Sequence, residues 1–220
     1  PELYNLEIND GRAMFTPDGK PNTTCIPALG YSFAAGTTDG PGEFDFTQND
    51  NSTGNPFWNW ISGFIAKPTE DQKRCQAPKP ILIDVGLTKP NPWAPQTVPI
   101  QLFRIGQLFI IGVPAEFTTM AGRRLRKTVL NTLKEYGAAD DKSVVVIAGL
   151  ANTYTNYVTT FEEYQVQRYE GASTLFGPYT LAAYQQEFSK LAASLAQGTP
   201  YPPGPDPLDL KGRQRDFLPP

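Results

Sequence analysis

The fold is decided by residues 107–149, which have the sequence QLFIIGVPAEFTTMAGRRLRKTVLNTLKEYGAADDKSVVVIAG. Residues 107–113 are rich in β-branched and aromatic residues, which predicts a strand. Residues 118–136 carry an apolar stripe at helical spacing, and the glycine at Gly137 is a natural helix stop. Residues 143–149 contain four consecutive β-branched residues and predict a strongly buried strand. Together they predict a β-α-β unit with parallel strands and a right-handed crossover.

Further strands and a second long helix are predicted on either side of this unit. Residues 80–85 and 98–105 have the composition of strands, and Gly106 before residues 107–113 predicts a tight hairpin or a bulge. Residues 180–197 have apolar side chains every three or four positions, which predicts a helix. The predicted fold class is therefore α/β (mixed α and β), with flanking helices around a β-sheet core that contains the β-α-β unit.

Composition excludes several classes of function. The chain has 220 residues, enough for one large domain or two small ones, and 19 Lys+Arg against 22 Asp+Glu give a net charge of −3. This balance argues against nucleic acid as a partner, because phosphate contacts need a basic surface. The chain contains no histidine, so it cannot build a Ser-His-Asp or Cys-His apparatus by itself. No apolar run reaches the roughly 18 residues of a membrane span.

The last segment of the chain, residues 200–220, contains seven of the 22 prolines. Such a segment has no core of its own and predicts an extended linker toward a further domain. The chain is therefore divided into residues 1–199 and a proline-rich linker over residues 200–220. The chain opens on Pro1 rather than Met, which suggests a piece of a longer, processed protein.

An apolar segment over residues 55–65 permits two interpretations. It begins with the sequence NPFWNW and is rich in aromatic residues. It is either a buried helix or part of a lipid-facing rim, and packing in the core is the favoured prediction.

Two cysteines and two glycosylation sequons share one part of the chain. Cys25 and Cys75 are too few for a four-thiolate metal site, and they are either bridged or two buried free thiols. The sequons begin at Asn22 and Asn51. Sequons together with paired cysteines suggest a secretory route.

One edge of the predicted sheet collects polar side chains. Glu116 follows the first strand of the β-α-β unit, and the loop 150–160, rich in hydroxyl and amide groups, follows the second. Ligands bind at the carboxyl ends of parallel strands, and neighbouring strands lie about 5 Å apart. The sequence therefore predicts that Glu116 and a side chain from 150–160 converge at this edge.

Several motifs at these positions closely resemble neutral ceramidase, a zinc amidase that hydrolyses ceramide to sphingosine and a fatty acid. The resemblance covers residues 25–197 and comprises AGTTDGPG (35–42), PIQLFRIG (99–106), PAEFT (114–118), YVTT (157–160) with the Glu-Glu-Tyr that follows, and RYEGASTL (168–175) with Gly177-Pro178. It places the chain in the later part of a larger catalytic domain, before a linker to an immunoglobulin-like carboxyl-terminal domain.

The resemblance implies roles for particular residues. One zinc ion in the family is held by two histidines, a glutamate and a tyrosine; the glutamate corresponds to Glu116 and the tyrosine to Tyr157. Tyr169 corresponds to a tyrosine that hydrogen-bonds the substrate amide. The spacing of Cys25 and Cys75 is similar to that of the family's disulfide. The two histidines and a serine implicated in catalysis belong to the missing N-terminal part of the catalytic domain.

The leading hypothesis is a fragment of a secreted or cell-surface zinc-dependent ceramidase, which takes ceramide from a membrane surface. Two alternatives remain open at this point. The chain is a non-catalytic module that binds lipid or a partner, or it is one chain of a nicked two-chain enzyme whose partner carries the histidines.

Overall fold

A computed structural model of the chain describes residues 7–8, 21–42, 44, 46–48 and 56–211. Its strands are β1 (Glu7–Ile8), β2 (Asn22–Thr23), β3 (Leu29–Gly30), β4 (Ile81–Ile83), β5 (Gln101–Ile105), β6 (Leu108–Gly112), β7 (Glu116–Phe117), β8 (Val144–Ala148) and β9 (Tyr157–Val158). Its helices are α1 (Tyr31–Ala34), α2 (Pro56–Ile65), α3 (Glu70–Gln76), α4 (Thr119–Glu135), α5 (Phe161–Val166), α6 (Tyr169–Ala172) and α7 (Thr180–Gln197). The predicted mixed α/β class is confirmed.

The central sheet has three strands in the order β5-β6-β8. Strands β5 and β6 form an antiparallel hairpin around Gly106, whose φ of +60° lies in the left-handed region that favours glycine. Strands β6 and β8 pair in parallel, from Leu108 opposite Val144 to Gly112 opposite Ala148, and α4 connects them. Of the two alternatives at Gly106, the structure has the hairpin and not the bulge, and the predicted β-α-β unit with parallel strands is confirmed.

Helices α4 and α7 pack over one face of this sheet. Thr118 caps α4 by accepting a hydrogen bond from the backbone N of Ala121 at 3.3 Å, which satisfies one free donor of the first turn. The inner face of the sheet contributes Phe109 and Ile111, which are fully buried with Leu125 of α4. Complete burial of such side chains contributes about 2 kcal/mol each, so this layer is the main core.

The prediction that residues 143–149 are strongly buried is wrong. Val145 is 6% exposed, but Val144 and Val146 on the opposite face are 53% and 37% exposed. Successive side chains of a strand point to opposite faces, and only one face of this strand meets the α4 core. The run of four β-branched residues therefore does not indicate burial within this chain.

The predicted core packing of segment 55–65 is also wrong for most of its described aromatic side chains. The segment does form a helix, α2, but Phe57, Trp60 and Phe64 are 58%, 64% and 74% exposed. Trp58 is only partly buried, against the rings of Phe44, Phe46 and Phe57.

A disulfide joins the segment before β3 to α3. Cys25 and Cys75 are bonded, with their Cα atoms 5.8 Å apart and a sequence separation of 50. The two cysteines are therefore bridged and are not free thiols. Closing a loop of this length contributes about 4 kcal/mol in the chain-entropy description. The predicted strand 80–85 is present as the shorter β4, antiparallel to β3.

Residues 200–211 contain no helix or strand. Tyr201 is nevertheless tied to α7, because its hydroxyl donates to Glu187 Oε2 at 2.7 Å. The division into residues 1–199 and a linker over 200–220 stays a prediction. Asn22 lies in β2, and Asn51 lies outside the described residues. Within the described part of the chain, no helix is both long and apolar enough to cross a membrane.

Candidate metal and substrate site

A second, shorter parallel strand pair carries the candidate site. Beyond β6 and β8 the chain continues into β7 and β9, which pair with Glu116 opposite Tyr157. The backbone N of Glu116 donates to the carbonyl of Asn156 at 3.0 Å, and the N of Thr118 donates to that of Val158 at 3.1 Å. Residues directly opposite in a parallel pair point to the same face, about 5 Å apart. The structure therefore brings Glu116 and Tyr157 together.

The loop 150–156 is held by its polar groups. The backbone N and the hydroxyl of Thr155 both donate to the carbonyl of Pro114, at 2.7 and 2.9 Å, and Thr155 is buried. Leu150, Asn152 and Asn156 have φ values of +53°, +69° and +58°, a region that asparagine tolerates better than leucine. These hydrogen bonds fix the loop path that delivers residues 154 and 157 to Glu116.

Two phenols surround the Glu116 carboxylate. The Tyr154 hydroxyl donates to Glu116 Oε1 at 2.5 Å. Burial, and then the hydrogen bond and charge of Glu116, raise the pKa of Tyr154 above its ordinary value. The same causes raise the pKa of Tyr157 to about 12. A carboxylate beside a phenol disfavours the phenolate, so both tyrosines are neutral at pH 7 in the absence of a cation.

Tyr169 extends this group toward a cleft. Its ring meets that of Tyr157 edge-on, with centroids 5.6 Å apart, and stacks on Phe33 at 6.1 Å. A cleft of about 390 Å³ lies between Tyr169 and the glycine-rich loop 35–41. A second cleft of about 430 Å³ is lined by Glu116 and the first turn of α4. The three predicted site residues are therefore neighbours with open space beside them.

One glutamate ties together the ends of the two site strands. Thr118 follows β7 and Thr160 follows β9. The hydroxyl of Thr118 and the backbone N of Thr160 both donate to Glu163 Oε2, at 2.7 and 2.8 Å. The hydroxyl of Thr160 accepts from the backbone N of Glu163 at 3.2 Å, which completes a capping box at the start of α5. This carboxylate clamps β7 to β9 just beyond Glu116 and Tyr157.

Two buried polar side chains support the site from below, on backbone carbonyls of residues 173–175. Gln76 Nε2 donates to the carbonyl of Leu175 at 2.6 Å, and Lys79 Nζ donates to the carbonyl of Thr174. The adjacent carbonyl, that of Ser173, accepts from the backbone N of Tyr157 at 3.4 Å. Burial lowers the pKa of Lys79 well below its ordinary value. Together these side chains link α3 and the segment before β4 to residues 173–175.

Four of these residues were not identified from the sequence: Glu163, Tyr154, Lys79 and Gln76. The pattern Thr160-x-x-Glu163 is a capping-box signature and could have identified Glu163. Tyr154 lies in the loop that was singled out, but nothing in the sequence distinguishes it from its neighbours. Lys79 carries no local signal, because its acceptor at Thr174 is 95 positions away.

The site offers two oxygen donors side by side. Within the described ranges, no three or more His, Cys, Asp or Glu side chains form a group that could hold a metal ion. Glu116 and Tyr157 nevertheless present a carboxylate and a phenol oxygen on one face, and both are oxygen donors. The pair fits two positions of a zinc site, provided that further ligands come from outside the described residues.

Comparison with known proteins places this fold in one family. A family model described as "Neutral/alkaline non-lysosomal ceramidase, N-terminal" matches residues 5–186. Neutral ceramidase B of Dictyostelium discoideum is 61% identical over 199 residues, which are 90% of this chain and 27% of the relative. Neutral ceramidase 1 of Arabidopsis thaliana is 58% identical over 208 residues, covering 92% of this chain and 27% of the relative.

Solved structures agree with the family match. Neutral ceramidase from Pseudomonas aeruginosa is 39% identical, with a TM-score of 0.76 over 98% of this chain and 30% of that one. A structure titled "Ceramidase complexed with C2" is 42% identical, with a TM-score of 0.79 over 98% of this chain and 32% of the other. The chain therefore belongs to the neutral/alkaline non-lysosomal ceramidase family. It spans about a quarter of the length of the curated relatives it matches, 27% for the two named above.

The Glu163 clamp predicts a difference between adjacent glutamates. We expect Glu163→Ala to lower the free energy of unfolding of the 220-residue chain by about 2 kcal/mol, because two donors lose their acceptor. Glu162→Ala is the comparison variant: it removes the surface ion pair with Arg124, at 2.8 Å, and a side-chain contact with Thr160, but it keeps both bonds to Glu163 Oε2 and should cost about 0.5 kcal/mol. Urea unfolding of both variants measures the difference. Equal losses would contradict the clamp.

Proposed function

We propose that this chain is part of a longer zinc-dependent amide hydrolase that cleaves ceramide to sphingosine and a free fatty acid. Family membership supports the reaction class. The observation that carries the proposal is the register of β7 and β9, which sets the carboxylate of Glu116 beside the phenol of Tyr157. The remaining ligands, two histidines by the resemblance, would come from outside these residues.

Glu116 and Tyr157 are the residues of this chain that would hold zinc. When bound, the metal supplies Lewis-acid polarisation of the scissile amide carbonyl. The carboxylate contributes a negative hard oxygen, and the phenol contributes a second oxygen once its proton is lost. While no cation is present, Glu116 raises the pKa of Tyr157 and so opposes loss of the phenol proton. A cation shared by the two side chains would lower that pKa, because a nearby positive charge favours the phenolate.

Tyr169 would act on the substrate oxygen. Its phenol donates a hydrogen bond to the amide oxygen as negative charge develops there, an interaction worth about 3 kcal/mol in comparable sites. Two observations support the role: the Tyr169 ring contacts that of Tyr157, and Tyr169 lines the cleft beside the glycine-rich loop. The scissile amide would then lie between Tyr169 and the metal ligands.

The zinc site is tested in the intact protein with Glu116→Ala and Tyr157→Phe. We expect each variant to lose more than about 100-fold in zinc affinity, since even a hydrogen-bond partner of a ligand typically contributes 10–100-fold. Ceramide hydrolysis should fall in parallel, and a chelator should abolish it in the wild type until zinc is restored. Tyr201→Phe, which removes the hydrogen bond from Tyr201 to Glu187 of α7, is the control and should keep both properties. Unchanged metal content and turnover in both site variants would reject the ligand assignment.

We further propose that the protein follows a secretory route and takes ceramide from a membrane surface. The Cys25–Cys75 disulfide and the sequons at Asn22 and Asn51 support the secretory route, because disulfides persist in oxidising compartments. The apolar character of ceramide supports the membrane surface as its source.

Mass spectrometry of the natural protein tests the secretory route. We expect a non-reduced peptide pair linked through Cys25 and Cys75. Peptides containing Asn22 and Asn51 should carry glycans that peptide N-glycosidase removes. Free thiols together with unmodified sequons would count against this route.

A further inference from the structure

The hydrogen bond from Tyr154 to Glu116 gives Tyr154 a place in the site. Tyr154 is 44% exposed, yet its hydroxyl donates to Glu116 Oε1 at 2.5 Å. The flanking backbone is fixed on both sides, since the N of Thr153 donates to the carbonyl of Ala151 at 2.9 Å and the N of Thr155 donates to that of Pro114 at 2.7 Å. The phenol is therefore delivered to one oxygen of the carboxylate by an ordered loop.

We propose that Tyr154 is a positioning residue that holds Oε1 of Glu116 so that the other carboxylate oxygen is presented to the metal. This inference rests on the proposed function. A carboxylate has two equivalent oxygens and a broad preference for rotation about its last bond, so an unheld Glu116 would sample several orientations. The Tyr154 phenol removes that freedom by occupying one oxygen as a hydrogen-bond donor. Partners of this kind orient metal ligands in other proteins.

Zinc affinity of the intact protein measures this role directly, without reference to turnover. We expect Tyr154→Phe to weaken zinc binding about 10–100-fold in a chelator competition, the usual effect of removing a partner of a ligand. Tyr201→Phe is the matched control, because the Tyr201 hydroxyl also donates to a glutamate, Glu187 Oε2 at 2.7 Å, on α7. It should leave zinc affinity unchanged.

A double-mutant cycle assigns the effect to Glu116. In a Glu116→Ala background, Tyr154→Phe should cause no further loss of zinc affinity, because the group it holds is gone. An additional loss there would overturn the inference, as would a Tyr154→Phe protein that binds zinc like the wild type. A loss from Tyr154→Phe as large as that from Glu116→Ala would make Tyr154 a ligand itself and also overturn it. A wild-type protein without zinc would instead reject the proposed function, and this inference with it.

Discussion

The candidate site depends on a parallel strand pair only two residues long. Glu116 and Tyr157 face one another because β7 and β9 are in register, and few backbone hydrogen bonds maintain that register. A shift of one residue would turn one of the two side chains to the opposite face. Such a short pair cannot persist alone, so its geometry must be imposed by its surroundings. β7 follows β6 after three residues and β9 follows β8 after eight, so the parallel β6–β8 pair precedes both site strands in the chain.

The surroundings fix the pair from two sides. Glu163 joins the ends of β7 and β9 through Thr118 and Thr160. Below the site, Gln76 and Lys79 bond to carbonyls of residues 173–175, and the disulfide anchors the end of the helix that carries Gln76. Burying the amide of Gln76 and the amine of Lys79 costs free energy unless each group is hydrogen-bonded. Both groups are hydrogen-bonded here. Polar groups are thus buried where they hold the backbone beneath Tyr157.

Local patterns in the sequence were sufficient for the central strands, the two long helices and the edge at which the site lies. Apolar periodicity predicted α4 and α7, and the β-α-β topology predicted that Glu116 meets the loop 150–160. The short site strands β7 and β9 and the helix α5 were not predicted. The exposure of Val144 and Val146 could not be predicted, because it depends on which face of the sheet is covered and not on side-chain type. The role of Lys79 could not be predicted either, because its partners are distant in sequence and are brought near only by the complete fold.

An anomalous difference map at the zinc edge, from crystals of the intact protein, tests the pairing of Glu116 and Tyr157 on one metal most directly. We predict one peak at bonding distance, about 2.0–2.2 Å, from both a carboxylate oxygen of Glu116 and the phenol oxygen of Tyr157. A peak bound by other residues, with Glu116 and Tyr157 paired only to each other, would contradict it.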